Sequence, residues 1–378
     1  MRTFHALFVL AILLCSTHAS AQANSFRVVG YYAGRTIPPD SFEVEKLTHL
    51  IWCFGHLKED RLHIHHAVDS AIIHQMTNLR SRNPQLKVML SLGGWGGCAT
   101  CSDVFSSSES RHTFAQSVKS LCADLGVDGI DLDWEYPVVP GYPGHAFSND
   151  DKNNFTLLCH ELRLALGKEA EISFAAGGFT DYIERAIDWA AVCADVSFIN
   201  IMSYDLVHGF STTSGHHTPL YSTPQQSEST DHAVQLLLEK GVPPQQLVIG
   251  AACYGRFFEM TSDSVGLYQP CKFVRGFSHK DIATILGPSS GFTTHWDDVA
   301  CAPYAIHHEK KWLASFDDER SIALKTRYAT KKNLGGIMFW QLYDDRFHGG
   351  LLDVIDKNKE SFRALRMTFV CSALINQM

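Results

Sequence analysis

The sequence has no block of basic residues and, after its N-terminus, no apolar run long enough to cross a bilayer. Charged residues make up only 19% of the chain, and the formal net charge is −8. Nucleic-acid binding is therefore disfavoured, and a neutral or cationic ligand is favoured over an anionic one. No membrane span is expected. Internal repeats and a proline- and threonine-rich linker are also absent, and 378 residues suffice for one large barrel domain or two ordinary domains.

The first 21 residues are typical of a secretory signal peptide. Arg2 supplies the positive charge, residues 6–14 form an apolar stretch, and Ala19 to Ala21 has the small-x-small form of a cleavage site. The stretch is too short for a membrane anchor. We therefore expect a secreted protein, periplasmic or extracellular, whose mature chain is residues 22–378.

Once the signal segment is set aside, ten cysteines remain, an even number that permits disulfides in an exported chain. They are Cys53, Cys98, Cys101, Cys122, Cys159, Cys193, Cys253, Cys271, Cys301 and Cys371. Cys98 and Cys101 are close enough for a local bridge. No second Cys-x-x-Cys or histidine pair follows at metal-binding spacing, so zinc is disfavoured, and the context is not that of a thioredoxin-like redox motif. Cys53, Cys193 and Cys253 lie in apolar runs and are expected to be buried.

Eight short apolar runs predict eight strands, at 27–33, 47–54, 86–92, 129–134, 171–176, 198–202, 247–252 and 335–340. Helix-like stretches lie between them at 70–82, 108–125, 150–166, 182–190, 231–240 and 319–332. Eight alternating units predict an α/β fold, a (β/α)8 barrel with functional side chains at the C-terminal strand ends. The alternative is an open doubly wound sheet, but no glycine-rich phosphate loop follows the first strand.

The connection between the seventh and eighth strands, from Gly255 to Asp318, is longer than one loop and one helix require. It contains pieces that look like short strands and turns. A terminal helix and tail are expected from about Asp356.

The segment DGIDLDWEYP, residues 128–137, places Asp131, Asp133 and Glu135 at alternate positions with apolar residues between them. Alternate side chains of a strand point to the same face, so the acids form a column on one face while the apolar residues pack on the other. Burying three like charges is costly, so some of these groups are expected to hold or share protons, as a general acid near neutral pH requires. A solvated strand with an acidic face is the alternative interpretation.

This segment resembles the D-x-x-D-x-D-x-E signature of glycoside hydrolase family 18, the chitinase family, and the resemblance covers roughly Arg27 to Lys357. It implies a bacterial-type, secreted, monomeric enzyme that hydrolyses β-1,4-linked N-acetylglucosamine polymers or oligomers without a cofactor. Many relatives of this family carry a small α+β insertion between the seventh and eighth barrel strands. Residues 257–315 are therefore expected to form a compact version of it within the catalytic domain.

In that family the last acid of the signature is the proton donor, so the resemblance assigns this role to Glu135. The acetamido carbonyl of the substrate then attacks the anomeric carbon, and water opens the resulting oxazolinium with retention of configuration. Asp133 is expected to orient the acetamide, and Asp131 to share its proton. Coupled carboxyl groups of this kind titrate as a set. The side chain of Asp128 should point to the opposite face of the strand from these three acids. A supporting role at the start of the strand is expected for it.

The segment MSYD, residues 202–205, matches the family motif Met-x-Tyr-Asp at the end of the sixth strand. By resemblance, the Tyr204 hydroxyl bonds the acetamido carbonyl and holds it for attack, which stabilises charge that develops in the transition state. Asp205 is expected to contact the sugar and tune the acid. Met202 lies on the same face as Tyr204 and is also assigned to substrate binding.

The segment SLGGW, residues 91–95, closes the third strand. Ser91 and Tyr31 correspond to family residues that support Asp131, and Gly94 is expected to let the backbone approach the sugar. Trp95 and Trp340 are predicted platforms, because the C–H faces of sugars stack on indole rings. Less specific matches add Phe54, Tyr136, Tyr254 and Arg256 to the substrate-binding residues.

The chain has 20 histidines, including a cluster at His63, His65 and His66 and a pair at His216 and His217. Neither group has an arguable carboxylate partner, so no metal site is predicted. The pair lies in a segment that resembles a family loop, which implies a structural role.

Two other functions would use the same residues. An endo-β-N-acetylglucosaminidase acting on N-glycans has the same acids in a different cleft, and the insertion and tryptophans favour chitin over it. A non-catalytic chitin-binding lectin typically lacks the acid, whereas Glu135 is retained here.

Overall fold

The computed structural model describes residues 26–359, so the predicted signal peptide and the predicted C-terminal tail beyond Lys359 lie outside the described residues. The strands are β1 (Arg27–Tyr32), β2 (His49–Lys58), β3 (Arg61–His63), β4 (Lys87–Gly93), β5 (Gly129–Asp133), β6 (Glu171–Gly177), β7 (Phe198–Met202), β8 (Leu247–Ala252), β9 (Tyr254–Met260), β10 (Cys271–Ser278), β11 (Thr293–Asp297), β12 (Ala302–His307), β13 (Trp312–Phe316) and β14 (Gly336–Trp340). The helices are α1 (Ala67–Asn78), α2 (Cys101–Phe105), α3 (Ser108–Leu125), α4 (Asp151–Leu166), α5 (Thr180–Arg185), α6 (Trp189–Val192), α7 (Thr230–Glu239), α8 (Ile282–Ile285), α9 (Glu319–Lys331) and α10 (Leu351–Lys359).

Eight parallel strands close into a barrel in the order β1-β14-β8-β7-β6-β5-β4-β2. Closure is made by β1, because Arg27 pairs with Gly336 of β14 and Val29 pairs with His49 of β2. Strands such as β8 are buried along their whole length, as expected where one face meets helices and the other fills the barrel. The predicted (β/α)8 barrel is confirmed.

The helix predicted at 182–190 is wrong as a single element, because the chain forms α5 and α6 instead. The Asp188 carboxylate accepts a hydrogen bond from the Ala191 backbone N–H at 3.3 Å, which caps a new helix at this point. The indole of Trp189 donates to the Ile183 carbonyl at 2.8 Å and holds the two short helices together. Asp188, which the sequence pattern placed inside one helix, is therefore the N-cap of a second helix.

The long connection after β8 forms the predicted α+β insertion. Its five strands make an antiparallel sheet in the order β10-β9-β13-β12-β11, with α8 beside them. Phe257, Phe277 and Phe316 form part of its own apolar core. Only Cys253 separates β9 from the end of β8, so the sheet rises directly from the C-terminal edge of the barrel.

A buried ion pair stabilises the junction between insertion and barrel. The Lys325 ammonium lies 2.7 Å from the Asp317 carboxylate, and both side chains are fully buried. The carboxylate also accepts hydrogen bonds from the Ala252 backbone N–H and the Thr218 hydroxyl. The last residue of β8 and the middle of α9 are thus tied to one carboxylate.

Cys98 and Cys101 form a disulfide, whereas Cys53 and Cys253 are buried thiols. The expectation of burial is wrong for Cys193, which is partly exposed because it follows the short surface helix α6. Across residues 26–359, no helix combines the length and apolarity needed to cross a membrane. Nor do three or more His, Cys, Asp or Glu side chains in that range converge as metal ligands.

Candidate active site

The acid column begins at Asp131, whose carboxylate is fully buried inside the barrel beneath its mouth. Its neighbours in register are Ser91 on β4 and Ser173 on β6, and each serine hydroxyl donates to it, at 2.9 and 2.6 Å. The Tyr31 hydroxyl donates at 3.1 Å and the Asn200 amide at 3.3 Å. Burial raises the pKa of Asp131, and these four donors limit the rise.

Two of these donors, Ser173 and Asn200, are absent from the sequence predictions. Asn200 stands in the otherwise apolar strand FINIM, and Ser173 stands in EISFAAG, where the other residues except Glu171 are apolar. A polar side chain at an inward position of a barrel strand needs a partner, and that is the signal that could have identified them. Only closure of the barrel shows that the partner is Asp131.

Asp133 lies one step further along the column, buried at the cleft floor. Burial raises its pKa well above the ordinary value, and the charges of Glu135 and Asp131 raise it further. Its Oδ1 has no hydrogen-bond partner among the described residues. A protonated carboxyl group with a free oxygen is suited to accept an amide N–H from a ligand.

Glu135 follows the end of β5 and faces the cleft. Burial raises its pKa to about 8, the Asp205 charge adds to this, and a hydrogen bond with Tyr136 opposes it. A carboxylic acid with this pKa retains its proton at neutral pH and can act as a general acid.

Tyr204 lies beside these acids at the end of β7, with Met202 two residues before it. Within residues 26–359, its hydroxyl has one hydrogen-bond partner, the Met338 sulfur at 3.8 Å, which is a weak acceptor. Burial raises the pKa of Tyr204, so the phenol keeps its proton. The hydroxyl is therefore available to donate to a ligand.

Asp205 is held in an ion pair with Arg256 on β9, in which both of its oxygens accept from the guanidinium. The fully buried ring of His217 also approaches this carboxylate, with Nδ1 3.5 Å from Asp205 Oδ1. Burial acts to raise the pKa of Asp205, but His217 and Arg256 together hold it well below its usual range. Asp205 thus remains an anion near Glu135. Its ion pair with Arg256 joins the loop after the barrel strand β7 to the insertion strand β9.

Aromatic rings form the floor of the cleft. Trp340 ends β14 and stacks on Phe54, with ring centroids 5.5 Å apart and an interplanar angle of 16°. Tyr31 packs against the same indole at 5.9 Å. Tyr254 joins the floor from the start of β9, 6.0 Å from the ring of Tyr204.

The two glycines of the SLGGW segment are required by contacts within the protein. Gly94 has φ +77°, and a Cβ there would lie 2.4 Å from the Phe54 ring. At Gly93, with φ +108°, a Cβ would lie 2.2 Å from the Asp133 carbonyl oxygen. The space that a Gly94 side chain would need is therefore filled by the Phe54 ring.

The remaining predicted residues fall into two groups. Trp95 and Tyr136 line the cleft, Trp95 as an exposed ring and Tyr136 packed edge-on against Phe179 at 5.4 Å. Asp128 lies outside it, at the opposite end of β5, where it accepts from the Val88 backbone N–H at 2.8 Å and pairs with Arg80 at 2.6 Å.

The cleft has a volume of 1080 Å³. Four segments supply lining residues that sequence reasoning missed. The loop after β7 adds Leu206, His208 and Phe210, the insertion adds Phe273, Phe277 and Ser278, and the segments after β6 and β14 add Phe179 and Asp344. The apolar character of the phenylalanines and Leu206 was visible in the sequence, but nothing in it placed any of these residues beside the acids.

A cleft at the C-terminal strand ends, with an aromatic floor and carboxyl groups that hold protons, defines a carbohydrate-cleaving barrel protein, a glycoside hydrolase. The sequence model described as "Glycosyl hydrolases family 18" matches residues 27–345, and the chain belongs to this family.

Comparison with individual relatives gives the same family. The chain is 33% identical to Chitinase A1 of Niallia circulans over 72% of its own length and 43% of that protein's. It is 31% identical to Chitotriosidase-1 of Mus musculus over 82% of its length and 70% of that protein's. The chain thus spans less than half of the bacterial relative.

Solved structures show the same fold. Chitinase ChiA74 from Bacillus thuringiensis superposes with a TM-score of 0.83 at 26% identity, over 89% of this chain and 70% of that one. A family 18 N-acetylglucosaminidase from Paenibacillus barengoltzii superposes with a TM-score of 0.79 at 34% identity, over 88% of this chain and 100% of that one.

Proposed function

We propose that this protein is a chitinase that hydrolyses β-1,4-linked N-acetylglucosamine polymers or oligomers by a retaining, substrate-assisted mechanism. The observation that carries the proposal is Glu135, an acid that holds its proton, in line with the buried carboxyl groups of Asp133 and Asp131. Glu135 and Asp133 line the same cleft as the Trp340 indole, which forms its floor. A sugar stacked on that floor would present its linkage oxygen to Glu135.

In the proposed first step, the Glu135 carboxyl proton passes to the glycosidic oxygen as the bond from that oxygen to the anomeric carbon breaks. The substrate's own acetamido oxygen forms a bond to that carbon, giving an oxazolinium ion. Tyr204 donates a hydrogen bond to the attacking oxygen, and Asp133 accepts the acetamide N–H. Water then opens the ring while Glu135 takes back a proton, and configuration is retained.

The arrangement around Asp131 supports the role given to Asp133. Four donors hold Asp131, so Asp131 can bear negative charge while Asp133 bears the proton. When positive charge develops on the acetamide nitrogen, Asp133 can turn towards it and leave its proton with Asp131. No carboxylate nucleophile is needed.

A second candidate is favoured by one comparison. The chain covers the whole of a family 18 N-acetylglucosaminidase at 34% identity. Release of single N-acetylglucosamine units would use the same acids, and product analysis separates the two activities.

We further propose that the protein is secreted and acts as a monomer. The signal-like N-terminus and the Cys98–Cys101 disulfide support an oxidising location. The acids, the floor and the paired Asp205 are all supplied by one chain.

The test compares the native protein with Glu135→Gln on a fluorogenic chitobioside and chitotrioside. Loss of turnover with ligand binding retained is the expected result, and Glu169→Gln, at an almost fully exposed site, is the matched control. Turnover that persists in Glu135→Gln contradicts the proposed donor. Binding without turnover in the native protein points to a lectin or to an N-glycan substrate.

A further inference from the structure

One acidic side chain in the cleft takes no part in the proposed reaction. Four acids line the cleft, namely Asp133, Glu135, Asp205 and Asp344. Burial keeps protons on Asp133 and Glu135, and Arg256 neutralises Asp205 in a two-point ion pair. Within residues 26–359, no lysine, arginine or histidine nitrogen lies within 4.0 Å of the Asp344 carboxylate. Asp344 therefore supplies a negative charge to the cleft that no ion pair compensates.

The Asp344 carboxylate is held so that one oxygen stays open to a ligand. Asp344 ends a short 3-10 turn after β14, and its backbone N–H donates to the Gln341 carbonyl at 3.0 Å. Ser278, the last residue of β10, donates its hydroxyl to Oδ1, and this is the single hydrogen bond to the carboxylate from residues 26–359. The ammonium of nearby Lys280 donates instead to the Tyr343 carbonyl at 2.8 Å. Oδ2 can therefore accept from a ligand in the cleft.

The position of Asp344 relative to Glu135 follows from the strand order. Trp340 ends β14, which lies diametrically opposite β5, the strand that leads to Glu135. A sugar on the Trp340 floor sends its leaving group towards Glu135, so the retained part of the sugar chain runs towards the opposite side of the barrel mouth. Asp344 follows Trp340 on that side, after a turn whose rise of roughly 2 Å per residue gives about 8 Å. Asp344 therefore borders the retained sugar next to the one on Trp340.

We propose that Asp344 selects a glucosamine unit, which has a free 2-amino group, at the retained position next to the N-acetylglucosamine whose linkage is cleaved. The inference rests on the proposed function and names its substrate class as partly deacetylated chitin. The proposed reaction uses the acetamido oxygen of the cleaved unit alone, so the neighbouring unit can lack its acetyl group. Asp344 is thus a specificity-determining residue.

Charge is the physical reason for this preference. A protonated amine carries a full positive charge and several N–H donors, and it pairs with Oδ2 of Asp344 in a charge-assisted hydrogen bond. An acetamido group offers one neutral N–H and brings a methyl group towards the carboxylate. Asp344 is half-buried, so pairing there costs less desolvation than in the barrel interior. The net charge of −8 also attracts a polymer that carries ammonium groups.

The experiment compares two fluorogenic disaccharides that share the reporter and the cleaved N-acetylglucosamine and differ only in the outer sugar, glucosamine or N-acetylglucosamine. The measured quantity is the ratio of their kcat/KM values in mildly acidic solution, where the amine is protonated. We expect the native protein to favour the glucosamine substrate. Asp344→Asn, which keeps an acceptor for Ser278, should lower the ratio about three- to fivefold, the size of a half-exposed ion pair.

Two controls separate the ion pair from other effects. Asp263→Asn removes an exposed acid of the insertion that pairs with Lys311 outside the cleft, and it should leave the ratio unchanged. Added salt screens an ion pair, so it should lower the native ratio towards that of Asp344→Asn.

Other outcomes overturn the selection. A native ratio of one or below means that the cleft does not favour the ammonium group. A ratio that Asp344→Asn leaves unchanged assigns the preference to another side chain, and an equal loss on both substrates gives Asp344 a structural role. Native protein that turns over neither substrate overturns the proposed function itself, and this is distinct from an enzyme that turns over both without preference.

Discussion

The pH dependence of catalysis follows from the proton held by Glu135. With a pKa of about 8, Glu135 is protonated in about 90% of molecules at pH 7, against roughly 0.3% for a glutamic acid with the ordinary value of 4.5. Because the general acid must carry its proton, kcat/KM should stay nearly constant up to about pH 7 and fall about tenfold per pH unit above pH 8. The assay is hydrolysis of a fluorogenic chitobioside from about pH 5 to about pH 10.

Asp205→Asn tests the cause of this proton affinity. The Asp205 anion raises the pKa of Glu135, and its loss also leaves the positive charge of Arg256 unpaired. Both changes favour ionised Glu135, so the basic limb should move to lower pH by about one pH unit. Asp181→Asn, an exposed acid paired with Arg185, is the control and should leave the profile unchanged.

Two results would refute this reasoning. A native basic limb with its midpoint near pH 6 or below would mean that burial does not hold the proton on Glu135. A basic limb of the pH profile that does not move in Asp205→Asn would mean that Arg256 neutralises the Asp205 carboxylate too well for it to raise the pKa of Glu135.

Three further predictions concern groups around the site. Asn200→Ala removes a donor from buried Asp131 and should lower kcat by about tenfold, the effect of one lost hydrogen bond to a charged group, in steady-state assays. Lys325→Met leaves the Asp317 carboxylate buried without its cation and should lower the free energy of unfolding by about 3–5 kcal/mol in urea titrations. Asp297 has its pKa lowered to about 2 by a histidine and two backbone N–H donors, so it stabilises the fold above pH 3.8 and loses this effect as pH falls towards 2. Asp297→Asn should therefore cost about 1 kcal/mol at pH 7 and almost nothing at pH 2 in thermal melts.

Matched controls use exposed positions of the same residue type: Asn153→Ala on α4, Lys331→Met on the helix that carries Lys325, and Asp298→Asn beside Asp297. Unchanged kcat in Asn200→Ala would show that Asp131 does not depend on this donor. A Lys325→Met protein as stable as its control would show that the pair contributes only specificity. A pH-independent cost at Asp297 would assign its effect to packing.

The eight barrel strands were predictable because their signal is local. Strands such as β7 and β8 are buried on both faces and read as continuous apolar runs, and their predicted bounds match the observed ones. The hairpin strand β3 was missed because three residues are too short for any periodic signal. The helix predicted at 182–190 failed because the cap at Asp188 depends on one side-chain hydrogen bond.

The sequence by itself determined the column of Asp131, Asp133 and Glu135, because alternation along one strand is enough to put three side chains on one face. It also determined that Trp340 and Tyr204 end barrel strands and so reach the same rim.

Only the tertiary structure decided which distant side chains these groups meet. Asn200 reaches Asp131, Arg256 pairs with Asp205, and Phe210 touches Trp95, across sequence separations that no periodic pattern encodes. The physical reason is closure of the barrel and the growth of the insertion from its edge. These bring chain segments together through hydrogen bonds and packing that exist only in the folded protein.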